Sequence, residues 1–312
     1  MANDLPYMDS NLIDLSLLKS PSPIIVAEEL KKLKSFMISW GCFQLINHGM
    51  SIDFLDEVRN ISKKFFNLPS EEKEKYSKTP DNPQGYGTDY SPENDSPASY
   101  RLFLTVYPEE QRMPDRWPET PNKFRDILWG YILKVKTLHD TIVQAIARSI
   151  NLEENSFVDG YGENSQVVAR INYYPPFPLT DFMRTISKHT DRSATTFLLK
   201  DTQIEALEVE KDSQWFKVPV IPHAIMVLAG DQLEIMSNGI FKSVEHRVKS
   251  NPEKDRISFA MFFSPDHEKE IGPLNELVTE DRPALYKPIK RYIDLFDIYY
   301  PKGIHPLTAV KI

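Results

Sequence analysis

The sequence predicts an α+β protein with a mainly helical N-terminal region followed by a two-sheet jelly roll. Three observations predict it. Stretches with apolar residues at helical spacing fall within the first 150 residues. After Asn151 the pattern changes to short runs rich in Val, Ile, Phe and Thr, separated by turn residues. Many short strands punctuated by turns suit two packed antiparallel sheets.

The elements follow in order. Residues 28–39 place Leu30, Leu33, Phe36 and Met37 at helical spacing, and Gly41 marks the end. Residues 42–47 read as a short strand closed by His48, taken as a structural histidine. A helix over 52–66 stops before Leu68-Pro69. Residues 76–98, rich in Pro, Asn, Asp and Ser, read as a long loop, a length that points to function or mobility. A strand follows over 100–107, with Arg101, Phe103 and Thr105 on one face. Thr120-Pro121 looks like a helix start, a capping residue with proline at the first position. From there an apolar series from Phe124 to Ile150 predicts one long helix against the sheet, with His139 on its surface or in its core. Strands are predicted over 167–173, 195–199, 206–210, 215–219, 224–229, 241–248 and 257–264, and a last helix includes 294–299.

Composition excludes several classes of function. The chain has 312 residues, 41% of them hydrophobic, with 14 Tyr and 17 Phe, which supplies a sizeable core and argues against disorder. Its net charge is -8 and no basic patch stands out, so a nucleic-acid substrate is disfavoured and a small molecule fits better. Cys42 is the only cysteine, so no internal disulfide forms. The N-terminus lacks the basic start and apolar run of a signal peptide. No stretch reaches the roughly 18 apolar residues of a membrane span. A soluble cytoplasmic protein is the expectation.

The chemistry centres on Lys188-His189-Thr190-Asp191. In an extended segment, His189 and Asp191 point to the same face. Alone, the pair is a weak signal, and surface polar residues are the favoured reading. With His246 of Val244-Glu245-His246-Arg247-Val248 it makes two imidazoles and a carboxylate, the set that non-haem Fe(II) oxygenases place on one side of the metal. Just downstream, Asp255 to Ser264 alternates so that Arg256, Ser258, Ala260, Phe262 and Ser264 share a face. An inward arginine is costly unless it meets an anion. Its planar fork suits a carboxylate, with Ser258 placed to share the load.

These motifs resemble the plant Fe(II)/2-oxoglutarate-dependent dioxygenases of specialised metabolism. The likeness rests on His189-Thr190-Asp191, His246-Arg247-Val248, Arg256-Ile257-Ser258 and Asn172-Tyr173-Tyr174-Pro175-Pro176. It extends to the segment Trp40 to Gly49, to Gly85-Tyr86-Gly87 and to Ile235 to Gly239, and runs from about residue 5 to the end.

The resemblance implies a double-stranded β-helix flanked by the N-terminal helices. It implies one catalytic unit over 1–312: helical over 1–150, a jelly-roll core with the iron site over 151–290, and a C-terminal helix and tail over 291–312 that cover the pocket. It implies Fe(II) on His189, Asp191 and His246, and 2-oxoglutarate as co-substrate, its distal carboxylate held by Arg256, Ser258 and Tyr174. Dioxygen is the second substrate and ascorbate the expected reductant. Asn172 is expected near the site. Arg101 and Phe103 look pocket-facing from family position, although an ion pair and a core phenylalanine serve as well. Phe262 and Ser264 continue the Arg256 face, and Arg170 and Tyr86 complete the expected substrate contacts. Such a lining suits a flavonoid, phenylpropanoid or alkaloid, to be hydroxylated or O-demethylated. Departures from the family pattern are Thr185, Arg192 beside Asp191, Leu228 ahead of the Gly-Asp pair, and a start close to the Leu-Pro-x-x-Asp region. A non-catalytic receptor on the same fold and an iron oxidase independent of 2-oxoglutarate are the rival expectations. A zinc hydrolase is a further rival, but the sequence carries no H-E-x-x-H motif.

Overall fold

A computed structural model describes residues 5–90, 97–176, 185–249, 251–299 and 302–312. The N-terminal part contains β1 (Leu12–Asp14), α1 (Leu15–Leu18), α2 (Pro23–Ser39), β2 (Cys42–Ile46), α3 (Ile52–Phe66) and α4 (Ser70–Glu74). It continues through β3 (Gly85–Tyr90), β4 (Pro97–Tyr107), α5 (Phe124–Ser149) and α6 (Ser156–Tyr161). The rest supplies β5 (Gln166–Tyr174), β6 (Thr185–His189), β7 (Thr195–Leu199), β8 (Leu207–Lys211), β9 (Gln214–Lys217) and β10 (Ile225–Ala229). Then come α7 (Asp231–Met236), β11 (His246–Lys249), β12 (Arg256–Ser264) and α8 (Tyr292–Tyr299). Eight strands form one sheet in the order β1-β2-β10-β7-β12-β5-β4-β3, and four form a second in the order β6-β11-β8-β9. This is the jelly roll the sequence predicts.

The period of two decides what each face of the large sheet does. On β12, Ile257, Phe259, Met261 and Phe263 join the main hydrophobic core, whereas the alternate residues line a cavity. Helix α5 covers the core face. Tyr131 meets Phe259 with ring centroids 4.7 Å apart, and His139 stacks on Phe263 at 3.8 Å. His139 is therefore a core residue, and burial lowers its pKa, which favours the neutral ring. Helix α3 buries Leu55, Val58, Ile61, Phe65 and Phe66 on one side, and Ser51 caps it by accepting from the Phe54 N–H. A smaller apolar cluster, including Val209, Met226 and Val248, fills the space between the two sheets. His48 is structural: its Nε2 bonds the His223 carbonyl oxygen at 2.9 Å.

Several boundaries differ from the expectation. The loop over 76–98 contains β3 and the start of β4; residues 91–96 of it lie outside the described residues. Helix α2 starts at Pro23, five residues early. Helix α5 starts at Phe124 behind Lys123, whose φ of 65° is left-handed, so Thr120-Pro121 belongs to the preceding turn. Residues 241–245 are not strand. There the Phe241 and Ser243 amides bond the side chains of Ser237 and Glu234 instead of a neighbouring strand.

Candidate metal centre and substrate cavity

His189 ends β6, His246 begins β11, and the antiparallel register sets them directly opposite each other. Their ring centroids lie 4.3 Å apart. Asp191 Oδ1 lies 4.0 Å from His189 Nε2 and 3.8 Å from His246 Nε2. One donor atom from each of the three falls within 4.8 Å of the others. His246 Nδ1 lies 3.0 Å from the Val244 carbonyl oxygen. That oxygen only accepts, so Nδ1 carries the proton and Nε2 presents its lone pair to the centre. Asp191 is anchored from behind. Thr196 Oγ1 donates to Asp191 Oδ2 at 2.6 Å, which leaves Thr196 to accept from Ser193 Oγ at 3.1 Å.

The backbone around Asp191 is equally constrained. The Asp231 amide donates to the Asp191 carbonyl at 2.8 Å, and the Gly230 amide donates to the Ala194 carbonyl at 2.9 Å. A Cβ on Gly230 would collide with the Ser193 carbonyl oxygen. Two imidazoles and one carboxylate, held on one side with the other side open to a cavity, suit a divalent ion such as Fe(II).

Arg256 is 2% exposed, and its guanidinium carbon sits 4.8 Å from the centre of the Tyr174 ring across the strand pair. Its Nε and Nη1 have no hydrogen-bond partner among the described residues. A buried guanidinium with open donors is strongly unfavourable by itself, so the pocket is built for an anion with matching oxygens. A carboxylate fits. Ser258 and Tyr174 line the same cavity as Arg256 and the three metal-set residues, a space of ≈ 1040 Å³.

Asn172, Phe262, Ser264, Arg170, Arg101 and Phe103 also line this cavity. Arg170 Nε donates to Asn172 Oδ1 at 2.6 Å. The Arg101 guanidinium lies 5.2 Å from the centre of the Phe103 ring and donates to the Pro83 carbonyl at 3.0 Å. Tyr86 is the exception. It pairs with Leu102, and cross-strand partners share a face, so it points to the core side. There it packs on Phe65 and stacks on Tyr100 with centroids 6.0 and 6.2 Å away, and burial pushes its phenol up to about 12.

Arg192 does not pair with Asp191. Its Nη1 bonds Asp297 Oδ1 of α8 at 3.1 Å, and Ile293 and Phe296 of that helix form part of the cavity wall. Three contributors escaped the reading of the sequence. Thr196 was accessible in principle from the inward alternation of β7. Asp231 is completely buried, accepts from the Tyr292 hydroxyl at 2.7 Å, and has its pKa raised by that burial. His305 Nε2 lies 3.2 Å from Thr190 Oγ1, a contact that exists only because the C-terminal tail folds back on the site.

Known proteins resemble this arrangement throughout. Residues 165–265 match the 2OG-Fe(II) oxygenase superfamily, and residues 11–124 match the N-terminal region described as that of a non-haem dioxygenase in morphine synthesis. Jasmonate-induced oxygenase 4 of Arabidopsis thaliana is 37% identical over 267 residues, 84% of this chain and 76% of that protein. Codeine O-demethylase of Papaver somniferum is 37% identical over 286 residues, 91% and 79% of the two chains. Flavonol synthase 1 of Crocosmia x crocosmiiflora is 38% identical over 258 residues, 82% and 77%. The crystal structure of JOX2 in complex with 2OG, Fe and JA superposes with a TM-score of 0.85 at 32% identity, covering 100% of this chain and 92% of that one. Fold, site geometry and sequence agree: the chain belongs to the 2OG-Fe(II) oxygenase superfamily.

Proposed function

We propose that this enzyme couples the oxidative decarboxylation of 2-oxoglutarate to hydroxylation or O-demethylation of a small aromatic plant metabolite. The observation that carries the reading is one cavity holding both the His189, Asp191 and His246 donor set and the open donors of Arg256. When bound, the iron supplies the oxidising chemistry with dioxygen and the keto acid. The residues of the chain do the rest. Arg256, with Ser258 and Tyr174, binds the distal carboxylate of the co-substrate and so fixes its keto end toward the metal set. Phe103 and Phe262 give the substrate apolar surface, and α8 with the C-terminal tail excludes water from the reacting centre. A hydroxylated O-methyl carbon breaks down to formaldehyde and a phenol, so both outcomes use the same machinery.

The guanidinium groups of Arg101, Arg170 and Arg192 on the wall favour a substrate with phenolic or carboxylate oxygens over a protonated amine. A role in specialised metabolism agrees with relatives named for flavonol synthesis, codeine O-demethylation and jasmonate induction. The residues 1–312 act as one catalytic unit in this reading, with ascorbate keeping the iron reduced. A cytoplasmic location fits the single, buried Cys42, and no described helix is long and apolar enough to cross a membrane. The net charge of -8 favours a small molecule over nucleic acid.

A panel of phenolic and carboxylate plant metabolites, incubated with Fe(II), 2-oxoglutarate and ascorbate, tests this. The expected result is succinate released in step with substrate oxidised, with a mass gain of one oxygen or loss of one methylene unit. Ligand binding without succinate would mark a receptor instead. Product formed without 2-oxoglutarate would mark an independent oxidase.

A further inference from the structure

Thr190 stands between two members of the metal set, His189 and Asp191, and is buried. Its Oγ1 lies 3.2 Å from Nε2 of His305, a residue 115 positions downstream. The other ring nitrogen fixes the direction of that bond. His305 Nδ1 accepts from the Leu307 amide at 3.3 Å and so caps the 3-10 turn Pro306–Ala309. A neutral imidazole with Nδ1 as acceptor carries its proton on Nε2, so Nε2–H donates to Thr190 Oγ1. His305 lines the cavity together with Ile304 and Pro306 on either side of it.

The tail keeps its place without this bond. Leu307 and Val310 are buried in the main core. The Lys287 amide donates to the Val310 carbonyl at 2.7 Å, and the Ile312 amide donates to the Leu285 carbonyl at 3.0 Å. The C-terminal region also reaches the metal loop by a second route. The Tyr292 hydroxyl of α8 donates to Asp231 Oδ2 at 2.7 Å, and the Asp231 amide donates to the Asp191 carbonyl at 2.8 Å. Thr196 braces Asp191 from the large sheet. Residues 189–191 are thus gripped from the sheet and from the C-terminal region at once.

We propose that His305 is a positioning residue for the metal centre: a fixed prop, anchored by the core contacts of the tail, that holds Thr190 and through it the spacing of His189 and Asp191. This rests on the reading of His189, Asp191 and His246 as the metal set. Groups that orient metal ligands without touching the ion set much of its affinity. Because Ile304 and Pro306 form cavity wall beside the prop, one short segment sets both the wall and the ligand spacing.

Two substitutions separate propping from capping. In His305→Asn the short carboxamide reaches the Leu307 amide but not Thr190. In His305→Gln the longer one reaches Thr190 and gives up the cap. The readouts are Co(II) affinity of the full chain, measured without oxygen by competition with a chelator, the visible Co(II) bands, which report ligand geometry, and Tm. His305→Asn is expected to keep the wild-type Tm yet bind Co(II) about tenfold more weakly, with altered bands. His305→Gln should keep the wild-type affinity and bands with a lower Tm. Thr190→Val should lose as much affinity as His305→Asn, and the double variant no more than either alone. Wild-type affinity and bands in His305→Asn would overturn the proposal and leave His305 as a cap only. So would losses that add in the double variant. Failure of the wild-type chain to bind Co(II) would instead overturn the underlying reading of the metal set.

Discussion

At the scale of single residues, the site depends on which donors are satisfied and which are held open. Arg256→Lys keeps the charge but loses the planar fork. A charge-assisted bond is worth about 1.5–3 kcal/mol, so KM for 2-oxoglutarate should rise about 10- to 100-fold with kcat little changed. Steady-state kinetics with the co-substrate varied checks this. Thr196→Val removes the hydroxyl that steadies Asp191 Oδ2 without touching a donor atom of the metal set. Metal affinity, followed by competition with a chelator, should fall about 10- to 100-fold. The residues that face the cavity from β12 were legible because alternation alone assigns them. Tyr86 was not legible, because its face is decided by its strand partner Leu102, and the pairing register is not written in the residues around it. Thr196 and Asp231 act through other residues, and polar side chains of that kind carry no spacing signal of their own.

At the scale of elements, α8 is held over the cavity by a buried bond from the Tyr292 hydroxyl to Asp231 and by an exposed ion pair. The Arg192–Asp297 pair leaves the arginine 34% and the aspartate 66% exposed, so solvent screening limits it to at most about 1 kcal/mol. Arg192→Ala should therefore raise KM for the oxidised substrate only about two- to fivefold. The KM for 2-oxoglutarate, bound deeper at Arg256, should stay unchanged; a shift in both would contradict the assignment. Helix α3 and most strands were legible from periodicity and capping. The segment 241–245 was not, because β-rich composition cannot reveal that its Phe241 and Ser243 amides bond the side chains of Ser237 and Glu234. Short elements such as α1 and α7 are likewise fixed by tertiary packing, with too few turns to show a pattern.

At the scale of the whole molecule, helices on one face of the large sheet leave the other face free to line the cavity. The donors of the centre come from β6, the turn after it, and β11, and the anion pocket comes from β12 and β5, so ligands join parts far apart in the chain. Mn(II) with 2-oxoglutarate, at about 100 times Kd, should add about 2.7 kcal/mol of stability. That corresponds to a Tm rise of about 3–6 °C, reversed by a chelator, in a thermal melt. The most direct test of the central claim is a comparison of 2-oxoglutarate affinity between Mn(II)-loaded protein, chelator-stripped protein and Arg256→Leu. One equivalent should bind the loaded protein, and affinity should fall at least about 100-fold on losing either the metal or the guanidinium. Equal affinity in all three would contradict a co-substrate held between the His189, Asp191 and His246 centre and Arg256.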